Sequence, residues 1–406
     1  MVGHDVKRIL FYDDAAEFGG HEVMTLTAVK YLLEEGGAKV GFMYYAGNER
    51  LRQELSSLQK EHEALSLYPV KFRSSRLQNL TTLFAFKSIT QLGRLMRQFS
   101  PDIVVIAQGR IELSTMGLLA AKRSGLRTVS YIPMAHPLTH ISELPGAGLR
   151  DLLNRYFYQL PDRFITVSQS MARMLRQQGA QSRISVVYNG IDWSRYRRMD
   201  REQSRARYEL EEWDNAIAVV GRIQFRQKGH DFLIKAISRF RDQFERCKLL
   251  VVGDGPDAPK LKEMVLSLDL SHIVRFLPWS NSLSELYSAI DMLVIPSNFE
   301  GVPVVMLEGM YFGLPVVASN IDGMAEILPR SWLFKPTDEN SFVETLRKVK
   351  NRNNDFEIKT NQDLVSTRFT YHTFVAEFAH ILSDELCACS PAEVAPRNND
   401  NKKIPG

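Results

Sequence analysis

The sequence is poor in the features that mark disulfide-rich, metal-binding and membrane-spanning proteins. Its 406 residues include only three cysteines, Cys247, Cys387 and Cys389. None has metal-ligand partners at a useful spacing, so neither a disulfide framework nor a metal site is predicted. No apolar run reaches the ~18 residues of a spanning helix, and the N-terminus lacks a signal-peptide core. We therefore expect a protein of a reducing, cytoplasmic compartment.

Two further absences narrow the function. No Gly-x-Gly-x-x-Gly motif follows the first predicted strand, which argues against a dinucleotide-dependent dehydrogenase. No acidic residue occurs between Glu63 and Asp102, although the segment contains six cations: Lys71, Arg73, Arg76, Lys87, Arg94 and Arg97. Apolar residues alternate with these cations, so the segment 71–97 predicts a basic amphipathic surface suited to anionic lipid or an anionic acceptor. A buried helix with a solvated basic side is the alternative.

The sequence does contain a long alternation of apolar strands and amphipathic helices. With 44% hydrophobic and 24% charged residues, it has the composition of globular domains, and its length allows two or three of them. Runs such as RILFY, DIVVIAQ, AIAVVG and MLVIP alternate with helical patterns, which predicts parallel sheets covered on both faces. Because the alternation breaks at polar residues 194–214, we predict an α/β protein with two doubly wound domains facing across a cleft.

The positions of these patterns give domain boundaries. We place the first domain at 1–195, a linker at 196–213 and the second domain at 214–355. Helices over 356–386 are expected to pack back on the first domain, and the polar tail 387–406 is expected to be disordered.

Residues 298–319, NFEGVPVVMLEGMYFGLPVVAS, are the most informative segment. They predict a strand end, a loop, a helix with Pro303 as its first residue and Gly313 beyond its end, and a second strand. Glu300 then precedes the helix and Glu308 lies about a turn and a half inside it, so both can face a ligand at the sheet edge. The alternative is a capping-region acid and a solvated helix residue. The apolar neighbours of Glu308 favour a site.

Loops at other predicted strand ends point to the same cleft. Arg222 and Lys228 follow a strand that ends at Gly221, where cations suit a phosphate group, although solvated loop cations are the alternative. His136 lies in a proline-flanked loop at the carboxyl end of a first-domain strand, and either caps local structure or faces the cleft. Four glycines either bring backbone close to a ligand or simply allow a turn: Gly19, Gly20, Gly253 and Gly255.

Taken in order, these motifs resemble those of the GT4-like retaining glycosyltransferases, which have the GT-B fold. The motifs are FGGHE, the strand-end His136, YNGID, GRI with KG, GDGP, and the segment that contains Glu300 and Glu308, a pair that matches the family's E-x7-E signature. The resemblance extends from about residue 9 to about residue 382. It implies the GT-B arrangement of two domains, with a C-terminal helix crossing back to the first domain.

The resemblance also implies roles for individual residues. A nucleotide-diphosphate sugar would bind in the cleft without a metal ion or cofactor, because Arg222 and Lys228 would stabilise the charge that develops on the departing phosphate. Glu300 would contact the donor sugar, Glu308 the ribose hydroxyls, and His136 the reacting face of the sugar. The expected catalytic residues are Glu300, His136, Arg222 and Lys228. The expected donor-binding residues are Gly19, Gly20, Gly221, Gly253, Gly255, Val304, Val305 and Glu308.

Two positions depart from the family pattern. Val302-Pro303 replaces a frequent Phe-Gly, and Asp322-Gly323 replaces a frequent Gly-Gly, so contacts to the donor sugar are expected to differ. No carboxylate is evident as a nucleophile for retention, which favours a substitution in which the acceptor attacks from the face that the phosphate leaves.

The expected acceptor is a glycan or a lipid-linked molecule in surface polysaccharide or glycolipid synthesis. Peripheral contact with anionic membrane through 71–97 is expected, and a nucleic-acid partner is not. Two competing functions remain open on the sequence. One is a nucleotide-sugar epimerase of the same fold, and the other is a non-catalytic scaffold that binds nucleotide sugar.

Overall fold

The computed structural model describes residues 7–35, 37–73, 77–142, 145–278 and 283–387. Arg76 of the basic segment lies outside the described residues. The same holds for residues 388–406 of the predicted tail, which include Cys389.

The first half of the chain forms a seven-stranded parallel sheet in the order β3-β2-β1-β4-β5-β6-β7. Its strands are β1 (Arg8–Asp13), β2 (Lys39–Tyr45), β3 (Leu65–Val70), β4 (Ile103–Ala107), β5 (Thr128–Tyr131), β6 (Arg163–Thr166) and β7 (Arg183–Val186). Its helices are α1 (Gly20–Glu34), α2 (Glu49–Glu61), α3 (Gln78–Phe84), α4 (Phe86–Phe99), α5 (Thr115–Arg123), α6 (Leu138–Ile141), α7 (Ala147–Tyr158) and α8 (Gln169–Gln178).

The second half forms a six-stranded parallel sheet in the order β10-β9-β8-β11-β12-β13. Its strands are β8 (Asn215–Val220), β9 (Cys247–Val252), β10 (Val274–Leu277), β11 (Met292–Ile295), β12 (Val316–Ser319) and β13 (Leu333–Phe334). The remaining helices are α9 (Arg201–Arg207), α10 (Phe225–Lys228), α11 (His230–Arg239), α12 (Ala258–Ser267), α13 (Ser284–Ala289), α14 (Val304–Phe312), α15 (Asp322–Ile327), α16 (Glu339–Asn351), α17 (Asp355–Arg368) and α18 (Tyr371–Cys387).

Burial explains why both sheets are parallel. Every residue of β4 and of β11 is buried, so these strands need apolar side chains on both faces, which helices cover. The strand order reverses direction beside β1 in the first sheet and beside β8 in the second. Such reversals open a crevice at the carboxyl ends of the strands. The predicted α/β class and the doubly wound arrangement are confirmed.

The last helix connects the two halves. The carboxylate of Glu385 in α18 pairs with Arg127 and Arg163 of the first half, and the ring of Phe378 packs edge-on against Tyr131. The predicted return of a C-terminal helix to the first domain is therefore confirmed. The segment 196–213 contains α9, whose Arg205 donates to the carbonyl of Ala289 in the second half. The predicted boundaries themselves stay a prediction.

Two local predictions are wrong in detail. The apolar periodicity predicts one long helix over about 78–99, but the chain forms α3 and α4, which meet at Ala85. The two helices bury different kinds of residue. Helix α3 buries the polar side chains of Gln78 and Asn79, whereas α4 buries an apolar stripe. Pro303 is the N-cap of α14 rather than its first residue, and its backbone is extended, with φ −64° and ψ 126°.

Candidate active site

The carboxyl ends of β8, β11 and β12 bring three loops of the second domain together. Glu300 lies at their centre, and its side chain is buried. Its Oε1 accepts hydrogen bonds from Lys228 Nζ at 2.5 Å and from Ser297 Oγ at 2.9 Å. Lys228 remains 21% exposed, so its ammonium group contacts the carboxylate and still reaches the cleft. The loop cation and the loop acid that the sequence singled out therefore form a pair.

Glu308 is held by two tyrosines. Its Oε1 accepts from the hydroxyl of Tyr196 at 2.5 Å, and its Oε2 accepts from that of Tyr287 at 2.6 Å. Burial raises the pKa of Glu308, and the two hydroxyl donors oppose that rise. An ionised carboxylate has about four acceptor positions, so two remain for a ligand. Tyr196 and Tyr287 were not identified from the sequence, because the residues around neither tyrosine indicate a carboxylate partner.

Arg222 lies apart from the Lys228–Glu300 pair. Its guanidinium is 58% exposed and pairs with Glu17 of the first domain at 3.3 Å. Arg226, which the sequence gave no specific role, donates to the carbonyls of His140 at 3.1 Å and Ser142 at 2.8 Å. Both arginines therefore bridge the cleft between the two domains.

The glycines at the ends of β8 and β9 have a structural role. Gly221 and Gly253 have φ of +144° and +142°, which disfavours any residue with a Cβ. A Cβ on Gly253 would lie 2.0 Å from the carbonyl oxygen of Gly221, and one on Gly255 would lie 2.3 Å from that of Ile223. The close approach of these two loops explains the glycines without a ligand, so their donor-binding role stays a prediction.

The first glycine pair begins α1. The amide of Gly19 donates to Glu22 Oε2 at 2.7 Å, so this structure uses it for helix capping. Gly20 is the first residue of α1, and first-turn amides have no intrahelical acceptor. The same is true of Val304 and Val305 at the start of α14. These free amides suit an anion, although no contact tests that role.

A charged cluster lies beneath the first glycine pair. His21 Nε2 lies 3.4 Å from Asp13 Oδ2, and its Nδ1 lies 3.0 Å from Glu22 Oε2. Burial alone would lower the pKa of His21, but the two carboxylates outweigh it and raise the pKa to about 10. The imidazolium thus compensates both buried acids. The same three residues have metal-ligand chemistry, with ligand atoms within 4.8 Å of one another.

His136 of the first domain packs beside the Glu300 loop, with its ring centroid 5.6 Å from that of Phe299. Its Nε2 lies 2.9 Å from Asp322 Oδ2, and the same Oδ2 accepts from the amide of Glu300 at 2.9 Å. The ring of His136 stacks on His140 with centroids 5.7 Å apart. Sequence reasoning noted Asp322 only as a departure from a family pattern. Its partner, His136, lies 186 positions away, and only the assembled cleft brings the two together.

Comparisons with known proteins give matches over most of the chain. The family model described as Glycosyltransferase Family 4 matches residues 18–195, and the one described as Glycosyl transferases group 1 matches residues 200–365. The chain is 31% identical over 228 residues to a D-inositol 3-phosphate glycosyltransferase of Rhodococcus opacus, a match that covers 52% of the chain and 50% of that protein. The chain thus spans about half the length of the first curated relatives.

Two further similarities concern surface carbohydrate and fold. The chain is 27% identical to the lipopolysaccharide core biosynthesis glycosyltransferase LpsD of Rhizobium meliloti, over 59% of the chain and 61% of that protein. It superposes on the crystal structure of HepE from Anabaena in complex with UDP, with a TM-score of 0.73 and 19% identity, over 93% of the chain and 100% of HepE. At this identity the superposition shows a shared fold.

Proposed function

Because the chain belongs to the GT4-like glycosyltransferases of the GT-B fold, we propose that it transfers a sugar from a nucleotide-diphosphate sugar to an acceptor hydroxyl. The observation that carries this proposal is the Lys228–Glu300 pair, which lies where β8 and β11 end. The free amides of α14 follow it in the chain. A cation and amide donors at one edge suit a diphosphate, and a buried carboxylate beside them suits sugar hydroxyls.

The proposed reaction uses charge that the protein supplies. As the glycosidic bond breaks, negative charge grows on the departing diphosphate, and Lys228 and Arg222 stabilise that charge more than they stabilise the ground state. We propose that the reaction needs no metal ion.

We also propose retention of anomeric configuration. Glu300 is held by Lys228 and Ser297, and Asp322 by His136, so both carboxylates are already engaged. Attack from the face that the phosphate leaves therefore suits this site better than a covalent intermediate.

The experiment that tests this function measures donor binding and product together. The purified protein is mixed with UDP, GDP, ADP or the control CMP, with EDTA present throughout. We expect one of the three nucleoside diphosphates to raise the protein's melting temperature. The matching nucleotide sugar should then give a product whose anomeric configuration, measured by NMR, equals that of the donor. Inversion would refute the retaining mechanism. Formation of an epimerised nucleotide sugar without transfer would indicate an epimerase, and binding without any reaction would indicate a scaffold.

The proposed acceptor is a glycan or a lipid-linked molecule at a cytoplasmic membrane face. No helix in the described part of the chain is long and apolar enough to cross a membrane, so contact would be peripheral. The basic segment supports such contact. Phe84 is 80% exposed and Phe86 57% exposed, and Lys87 and Arg94 are exposed on the same helix pair. Aromatic side chains with nearby cations suit an anionic bilayer surface.

The exposed face of α4 supports this proposal. It presents Phe86, Lys87, Thr90, Gln91 and Arg94 side by side. Two cations and two polar side chains beside an aromatic ring suit a phosphate headgroup. The apolar stripe of α4, which includes Ile89 and Leu92, is buried in the first domain, so the surface is the solvated side of a packed helix.

We expect the double substitution Phe84→Ser and Phe86→Ser to lower binding to anionic vesicles at least severalfold, because it removes the exposed apolar anchors. Sedimentation with vesicles of phosphatidylglycerol and phosphatidylcholine measures this. The matched control is Phe356→Ser, since Phe356 is also 80% exposed but lies on α17, which packs against α14 of the second domain. Equal binding by the wild type and the double variant would refute the membrane surface.

A further inference from the structure

Asp322 makes a contact that spans the cleft. It is the first residue of α15 in the second domain, whereas His136 follows β5 of the first domain. The two side chains are buried, at 6% and 3% exposure, and their polar atoms are 2.9 Å apart. The second bond, from the amide of Glu300 to the same carboxylate, fixes the carboxylate beside the donor-facing loop.

The backbone conformation at Asp322 favours glycine. Its φ is +47°, in the left-handed region that glycine adopts most readily and aspartate tolerates. Gly323 follows because a Cβ there would lie 2.2 Å from the carbonyl oxygen of Gly301. A carboxylate therefore stands where the backbone does not require one, and its partner is the imidazole of His136.

This contact decides which nitrogen of His136 carries a proton. The carboxylate accepts only, so a neutral imidazole beside it must donate from Nε2. Nδ1 then holds the lone pair, and this buried atom has no hydrogen-bond partner among the described residues. Around the ring of His136 lie Asp322, the backbone amide of Glu300 that donates to Asp322, and His140, whose ring stacks on that of His136. The ammonium group of Lys228 bonds to the side chain of Glu300.

We propose that Asp322 is a positioning residue that holds His136 in the Nε2–H tautomer and so presents the Nδ1 lone pair to a sugar hydroxyl in the cleft. This rests on the proposed function. Because the two residues belong to different domains, the histidine receives its orienting partner only when the domains meet across the cleft. Orientation of the reacting group is thereby coupled to assembly of the site.

The test compares Asp322→Gly and Asp322→Asn with Asp269→Gly. Asp269 is a matched control, since it also has a left-handed φ, of +53°, and its side chain is 87% exposed. Long-range ¹⁵N–¹H spectra, with His136→Gln to assign the signal, report the tautomer. We expect Nε2–H in the wild type and in Asp322→Asn, whose amide oxygen still accepts, and a tautomer mixture in Asp322→Gly.

Kinetics supply a second, independent measurement. We expect Asp322→Gly to lower kcat about tenfold or more with little change in donor KM, because a misoriented group slows the chemical step rather than binding. Asp322→Asn should recover most of kcat, and Asp269→Gly should behave as the wild type.

Two results would overturn the assignment. One is an Nδ1–H signal for His136 in the wild type, and the other is a kcat for Asp322→Gly equal to that of Asp269→Gly. The tautomer measurement needs no substrate. If no nucleotide sugar binds or reacts, the proposed function fails, while the spectra still show whether Asp322 sets the tautomer of His136.

Discussion

Lys228→Met is expected to lower kcat by about 10² to 10³ while leaving the protein folded. Removing one preorganised donor to developing negative charge has an effect of this size in comparable sites. Lys228 Nζ is the cation that contacts Glu300 at 2.5 Å, and methionine preserves the length and apolar stem of the side chain. Initial rates at saturating donor measure the change in kcat.

The matched control for this prediction is Lys235→Met. Lys235 is 54% exposed on α11, and its partner among the described residues is Asp231, one helical turn away, so its removal should leave kcat unchanged. Circular dichroism and the melting temperature test whether either variant unfolds. A folded Lys228→Met protein that kept at least half of the wild-type kcat would contradict the assignment of Lys228 to the leaving phosphate.

Glu308→Ala is expected to weaken nucleotide binding by about 10- to 100-fold, because a hydrogen bond to a charged group contributes about 1.5–3 kcal/mol. Calorimetric titration with the nucleoside diphosphate measures the dissociation constant.

The pH dependence has a defined sign. Burial raises the pKa of Glu308, so as the pH falls its neutral form accumulates at a higher pH than for an ordinary glutamate. As the pH is lowered, the nucleotide affinity of the wild type should therefore begin to fall at a higher pH than it would if Glu308 had an ordinary pKa.

Two further variants separate binding from structure in this second prediction. Glu344→Ala removes an exposed helical glutamate that pairs with Lys348 at 2.7 Å, and should leave the affinity unchanged. Tyr287→Phe removes one of the two hydroxyl donors to Glu308, and should reduce the affinity less than Glu308→Ala does. Unaltered nucleotide affinity in Glu308→Ala would exclude a ribose contact at this carboxylate.

The architecture was predictable because its signals are local. Apolar runs such as that of β11 need helices on both faces, so the alternation of short apolar runs with amphipathic segments already indicates parallel sheets. The break between 194 and 214 predicted two domains for the same reason. The division of 78–99 into α3 and α4 was not predictable, because α3 buries polar residues that bond to distant partners, among them Gln78 to Asp14.

The site was predictable only in part. Glu300 and Lys228 lie in loops at strand ends, and the geometry of parallel sheets places such loops at one edge. Tyr196 and Tyr287 hold Glu308 from separate segments, over sequence distances of 112 and 21 residues. Contacts over such distances leave no sign in the local sequence pattern. The exposed position of Arg222 beside Glu17 also depends on how the domains face each other.

The sequence by itself determined the fold class, the two-domain division and the residues at the edge of each sheet, since all of these follow from periodicity and from strand-end position. Only the tertiary structure decided which of those residues meet. Asp322 and His136 belong to different domains, and the tautomer of the imidazole is set by a carboxylate that chain folding brings to within 2.9 Å. Pairing across a cleft depends on domain packing, which local sequence patterns do not encode.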